Sequence, residues 1–148
     1  MGKINLTKAY VQRVSDLSKT NFEIPILEIK ELEKYPFLLV IQSVIENNIK
    51  LSIYPLKKEK IIKVSLSGFN LTNEIFEGLS KILRGFQVIH TSGVIFIEKR
   101  LFYECYLNIS MSEEKTKNLK ASFNKIKNIF EEIKIEEIGL KKIEKKQI

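Results

Sequence analysis

An α+β domain, with an antiparallel sheet and helices on one of its faces, is the fold class this sequence predicts. Three observations carry that reading. Between residues 61 and 140 the elements run strand, helix, strand, strand, helix, strand. Ile62, Val64 and Leu66 alternate with Lys63, Ser65 and Ser67, the period of a half-buried strand. Ile75, Phe76, Leu79, Ile82 and Leu83 instead fall on one helical stripe.

The remaining elements of the unit follow in order. Residues 86–97 and 101–109 are two β-rich runs, and Ser92-Gly93 marks a bulge or kink in the first. A second stripe, Leu119, Phe123, Ile126, Phe130 and Ile133, predicts a long helix with Phe123 and Phe130 facing the core. A β-like segment at 134–140 closes the unit. Asn70 or Thr72 can cap the first helix. Gly85 suits its far end, with Phe86 packing back. Ser110-Met111-Ser112-Glu113 reads as a capping box for the second helix. Two helices on one face of such a sheet make the split β-α-β, or ferredoxin-like, arrangement. That arrangement hosts many functions, so it narrows architecture and not chemistry.

Ahead of this unit, residues 6–18 predict a short amphipathic helix with Leu6, Tyr10, Val14 and Leu17 on one face. Residues 22–30 read as a strand, with Pro25 marking an edge position or a kink. Residues 36–46 read as a strand through their branched side chains, with a Pro-initiated helix as the alternative. Ile49, Leu51 and Ile53 alternate with polar neighbours, and Asn47-Asn48 fits a two-residue hairpin turn. No Ser/Gly-rich linker separates 1–60 from 61–140, so a single domain ending in a basic tail, 141–148, is expected.

Composition sets limits on function. No apolar run reaches the roughly 20 residues that span a bilayer. The first residues lack an apolar signal core, so a cytoplasmic location without a membrane partner is expected. Residue 6 is Leu, which breaks the myristoylation pattern begun at Gly2. The net charge is +7, but about half of it sits in the last eight residues. Arg13, Arg84 and Arg100 are the only arginines, whereas phosphate readers favour the planar Arg fork. Ile and Lys abound while Ala occurs only at Ala9 and Ala121, the bias of an AT-rich coding genome.

Chemistry-bearing residues are few. Cys105 lies on the Leu101, Tyr103, Cys105, Leu107 face of a strand and reads as a small buried residue. His90 is the only histidine and has no carboxylate beside it in sequence to complete an acid–base pair. One Cys and one His argue against a dedicated zinc site. Glu104 and Tyr106 share the opposite strand face with Phe102 and Asn108, facing solvent, a partner or the N-terminal strands. No phosphate loop, dinucleotide fingerprint, nucleophile elbow or metalloprotease motif is present. A non-enzymatic protein without a cofactor is the reading that follows. The Ser67-Gly68-Phe69-Asn70 junction offers a turn and free N–H groups where a small anion can bind. Lys117, Lys120 and Lys127 form a basic side of the second helix, the RNA-binding alternative.

The strand IIKVSLSG, the loop GFN, the helix LTNEIFEGLSKILRGF, the strands QVIHTSGVIFI and LFYECYLNI and the final amphipathic helix together resemble an ACT domain. Such regulatory modules dimerise through sheet edges or helices and often bind an amino acid near the first strand–helix loop. The resemblance therefore implies ligand contacts at Gly68, Phe69 and Asn70, and a protein partner or homodimer. Residues 135–146, after a basic helix, are similar in pattern to the C-terminal end of the small ferredoxin-like subunits of ribonuclease P, which bind protein and RNA. A longin- or profilin-like interaction scaffold is the third alternative, with the N-terminal elements joining one larger sheet.

Overall fold

The computed structural model describes residues 5–19, 33–69 and 72–141. They form two compact units. The first contains residues up to Thr7 together with Ile61–Glu137, and the second Lys8–Lys60 with the segment from Ile138 onward. The α+β class holds, with antiparallel sheets and two α-helices.

In the first unit the elements are β4 (Ile61–Gly68), α1 (Asn73–Arg84), β5 (Val88–Thr91), β6 (Ile95–Ile97), β7 (Arg100–Leu107), α2 (Glu114–Asn124) and β8 (Glu132–Ile138). The strand order is β5-β7-β4-β8, with β6 also on β7. β4 and β7 pair antiparallel, with Val64 opposite Cys105 and Ser65 opposite Glu104. The helix-facing side is apolar: Ile62, Val64 and Cys105 bury against Leu79, Leu83, Leu119 and Phe123.

The edge strand breaks where Ser92-Gly93 predicts a kink. Gly93 takes φ 73, and the run expected over 86–97 becomes two short strands. The Ser92 hydroxyl accepts the Glu104 N–H at 2.9 Å, and the Ser92 N–H donates to the Glu104 carbonyl at 2.8 Å. A polar side chain thus patches the ladder across the break. β6 and β7 meet in a two-residue turn, Glu98-Lys99, with φ of 51° and 69°.

The second helix is shorter than its apolar spacing predicts. It stops at Asn124, turns cover Lys125–Ile129, and Ile133 belongs to β8. Phe123 and Phe130 are nevertheless both buried, at 3% and 5% exposure. A tight run of turns delivers Phe130 to the core that a continued helix was expected to reach. The capping box is half formed: the Glu113 carboxylate accepts the Ser110 N–H, while the Ser110 hydroxyl bonds Ser112. On α1, Thr72 is the N-cap without a side-chain bond, and Asn70 lies outside the described residues. Gly85 closes α1 in a right-handed conformation, and Phe86 packs back onto the core.

In the second unit β1 (Thr7–Arg13), β2 (Phe37–Ile45) and β3 (Asn48–Leu56) make a sheet in the order β1-β2-β3. The helix predicted over 6–18 is instead β1 followed by a 3-10 turn, Val14–Lys19. The helical spacing of Leu6, Tyr10 and Val14 competes here with sheet pairing. β-branched and aromatic residues accept an extended backbone when a neighbouring strand satisfies their amides. Residues 36–46 take the strand alternative. The hairpin turn is Glu46-Asn47, one residue earlier than expected, and Glu46 holds the positive φ of 45°. Val11 bridges Leu140 in parallel, through Val11 N–H to Gly139 O at 2.9 Å and Lys141 N–H to Val11 O at 3.0 Å. The strand expected over 22–30 and the tail from 142 lie outside the described residues.

Candidate functional site

The densest polar chemistry lies in the first unit, on the sheet face away from the helices. Strand alternation puts Lys63 on β4 and Glu104 and Tyr106 on β7 onto that face, with Lys63 directly opposite Tyr106. All three are buried: Lys63 is 3% exposed, Glu104 2% and Tyr106 0%. Charged side chains reach such burial almost only when paired. Lys63 Nζ sits 3.2 Å from Glu104 Oε1 and 5.8 Å from the centre of the Tyr106 ring. Glu136 of β8 adds a second carboxylate 3.9 Å from the ammonium.

Residues 6 and 7 complete the cluster. Leu6 N–H donates to Glu104 Oε2 at 3.0 Å and Thr7 N–H to Oε1 at 2.9 Å. The Thr7 hydroxyl bonds both Glu104 Oε1 at 2.5 Å and the Tyr106 hydroxyl at 2.6 Å. Lys63 Nζ donates to the Thr7 carbonyl at 2.9 Å. Burial pushes the Tyr106 phenol well above its ordinary range, against the opposing pull of the Thr7 hydroxyl. Tyr106 therefore stays neutral and can donate. Ser65, opposite Glu104, keeps a buried hydroxyl that has no hydrogen-bond partner among the described residues. His90 places its ring 6.0 Å from that of Tyr106, tilted by 60°.

Further along the same face, Arg100 spans Phe69 and Phe102, its guanidinium 5.9 Å and 5.1 Å from the two ring centres. It donates to the Ser67 hydroxyl at 3.1 Å and pairs with Glu131 at 3.1 Å. Of the residues expected at the first strand–helix loop, Gly68 is buried and paired with Leu101, and Phe69 is half exposed. Asn70 lies outside the described residues.

The lysines of the RNA alternative are all exposed. Lys120 and Lys127 line one groove of about 580 Å³ with Phe123, Asn124 and the carboxylates of Glu131 and Glu132, which offset their charge, while Lys117 stands apart from it. Cys105 lies at 0% exposure in the apolar layer, and burial pushes its thiol up to about 12. Among the described residues no group of His, Cys, Asp and Glu is placed to hold a metal ion. No helix among them is long and apolar enough to cross a membrane.

Apolar side chains also surface in the first unit, along the β5–β6 edge. Val88 and Val94 are each 42% exposed, Phe96 68% and Ile97 36%. Among the described residues both strands pair only with β7, so their outer backbone groups form a sheet edge.

The buried cluster escapes a reading of the sequence because Lys63 looks like an ordinary polar position on a half-buried strand. Glu104 and Tyr106 do stand out as a shared face. The β4–β7 register, which brings Lys63 to them, is a pairing across 43 residues of chain that local pattern does not encode. No protein-family model matches this chain, and no curated protein matches it.

Proposed function

We propose that the chain is a non-enzymatic binding module that engages a protein partner along the β5–β6 edge of its first unit. The observation carrying this reading is the exposure of Val88, Phe96 and Ile97 on the two edge strands, with Val94 in the break between them. An unpaired edge offers backbone donors and acceptors, and apolar side chains there add burial when a partner strand docks. Natural edges are usually blunted with charge, so an apolar edge favours use over neglect. We further propose that residues 61–140 are a ferredoxin-like, ACT-like regulatory unit. The order β5-β7-β4-β8 and the two helices bracketing β5–β7 in sequence support that reading. A small ligand at Gly68, Phe69 and Asn70 has less support than a partner, because Gly68 is already buried in the β4–β7 pairing. The chemistry of the buried cluster likewise favours binding over catalysis, since its donors and acceptors are taken up by residues 6 and 7.

The test is affinity purification from the native host, with both protein and RNA identified, using the unmodified chain and Phe96→Lys. A protein recovered with the unmodified chain and lost with Phe96→Lys is the expected result. RNA recovered instead, and lost when Lys117, Lys120 and Lys127 are all replaced by Gln, would favour the RNA-binding alternative. In that case affinity should also fall steeply with salt. The groove shared by Lys120 and Lys127 is the observation that keeps this second reading in view.

A further inference from the structure

Lys63, Glu104 and Tyr106 do not behave as a core that happens to be polar. A buried ion pair is often no more stabilising than apolar residues of the same volume, so stability alone does not account for this one. What the trio does, and an apolar patch cannot, is read a polypeptide segment by the direction of its groups. Glu104 accepts two successive backbone N–H groups, from Leu6 and Thr7. Lys63 donates to the carbonyl that follows, Thr7 O. The one side chain read is a hydroxyl, held between Glu104 and Tyr106. Three of the contacts therefore reach backbone atoms, and sequence enters only through the requirement for a hydroxyl.

One hydroxyl on the same face is left without a partner by residues 6 and 7. Ser65 lies on the same face opposite Glu104, and its buried hydroxyl has no partner among the described residues. A receptor built of charged and hydroxyl groups has a further property. If the segment departs, water rather than an exposed apolar face replaces it, so opening is less costly than peeling a strand from an apolar surface.

We infer that Lys63, Glu104 and Tyr106 form a receptor for an extended polypeptide segment bearing a hydroxyl residue, filled in cis by Leu6–Thr7 and able to take the same segment of a second copy in trans. This site is on the sheet face and is independent of the β5–β6 edge. The trans ligand is chosen because the cis contacts already display the complementarity, and a second copy carries the same residues.

Hydrogen exchange on the full chain tests the opening. The Leu6 and Thr7 amides should exchange at least about tenfold faster than the ladder amides of Val64 and Cys105, because the segment opens without global unfolding. Equal protection would overturn the proposal. Peptide titration tests the receptor. A synthetic peptide of residues 1–9 is added to the isotopically labelled full chain carrying Thr7→Val, which weakens the cis occupant and leaves the receptor residues intact. Saturable shifts at Glu104 and Tyr106 are expected. They should weaken at least about tenfold for the Thr7→Val peptide, which leaves Glu104 and Tyr106 short of a partner. A scrambled peptide of the same composition separates sequence from charge. No saturable shift at millimolar peptide, or equal binding by the Thr7→Val or scrambled peptide, overturns the inference. If the Thr7→Val chain does not fold, the same titration with the same criteria is made on a chain carrying Leu6→Pro, which removes one of the two N–H donors of the cis occupant.

Discussion

On one side of β4 and β7, Ile62, Val64, Cys105 and Leu107 pack as an apolar layer under the two helices. On the other, Lys63, Glu104 and Tyr106 are just as dry, at 3% exposure or less. The strands and the backbone ladder are shared, so burial is not what separates the faces. The apolar layer is stabilised in proportion to area and tolerates many arrangements of similar volume. The polar face is stabilised only if each group meets a partner in the right direction, since an unpaired buried charge is far costlier than an unfilled methyl. One face therefore supplies cohesion and the other supplies selectivity.

The largest expected effect comes from breaking the polar face on one side only. Glu104→Leu leaves the Lys63 ammonium without its nearest carboxylate and strips the acceptor from Leu6 N–H, Thr7 N–H and the Thr7 hydroxyl. A loss of about 5 kcal/mol in urea denaturation is expected, the upper end for a broken buried pair. The double change Lys63→Met with Glu104→Leu should recover a large part of that loss, because no orphan charge remains. A double variant as unstable as the sum of the singles would show that the two charges are uncoupled and would remove the contrast between the faces.

Next in size is Phe123→Ala, which opens a cavity in the apolar layer at a cost of about 3–5 kcal/mol. Here no second substitution on a neighbouring residue is expected to restore stability by removing a mismatch. Denaturant melts showing a loss below about 1 kcal/mol would mean that Phe123 is not packed as its 3% exposure indicates.

The two faces were unequally legible in the sequence, for a physical reason. Apolar periodicity identifies Leu79, Leu83, Leu119 and Phe123 directly, because the core needs only residues of the right kind on one side of an element. It even placed Phe130 in the core while misjudging its backbone, since burial depends on where the side chain ends up and not on whether a helix or a turn carries it. Residues 6–18 failed in the complementary way: a helical spacing was satisfied on paper, but pairing with β2 decided the backbone. The polar cluster depends on the β4–β7 register and on residues 6 and 7 arriving from nearly a hundred residues away. Neither is a local property. Of the loop expected to bind a ligand, Gly68 is a strand residue and Phe69 packs beside Arg100, both consequences of the same distant pairing.

Titration offers a third probe, read through Cys105 of the apolar face. Burial raises the Cys105 thiol from 9.0 to about 12. Above the lower value the unfolded chain gives up that proton while the folded chain keeps it. The folded state then binds more protons, so stability falls as pH rises from about 9 towards about 12. Urea midpoints should accordingly decline between about pH 8 and about pH 10.5, and Cys105→Ala should lessen the slope. Tyr103, raised to about 12 by burial, and Tyr106 of the polar face, raised by the same cause, keep part of the decline. A Cys105→Ala chain with an unchanged slope would mean that the thiol is not sealed in the layer. The same burial should leave the thiol slow to react with a disulfide reagent at neutral pH, because the thiolate is the reactive form.

The smallest effect is a gain, and it calibrates the others. Glu98 and Lys99 both hold positive φ, at 51° and 69°, in the two-residue turn between β6 and β7. A turn with two such residues favours Asn-Gly, because glycine lacks the Cβ that crowds a left-handed backbone. Lys99 is exposed, so its side chain gives up little on removal. Lys99→Gly should therefore stabilise the chain by about 0.5 kcal/mol, with relief of backbone strain partly offset by the greater freedom of glycine in the unfolded state. The urea midpoint should rise at unchanged slope. The turn serves β7 as a whole and touches neither Glu104 nor Phe123, so its gain should add to either loss within about 0.5 kcal/mol. Strong non-additivity with Glu104→Leu alone would mean that the hairpin sets the register of the polar face, and that directional burial depends on this turn in a way that the apolar layer does not.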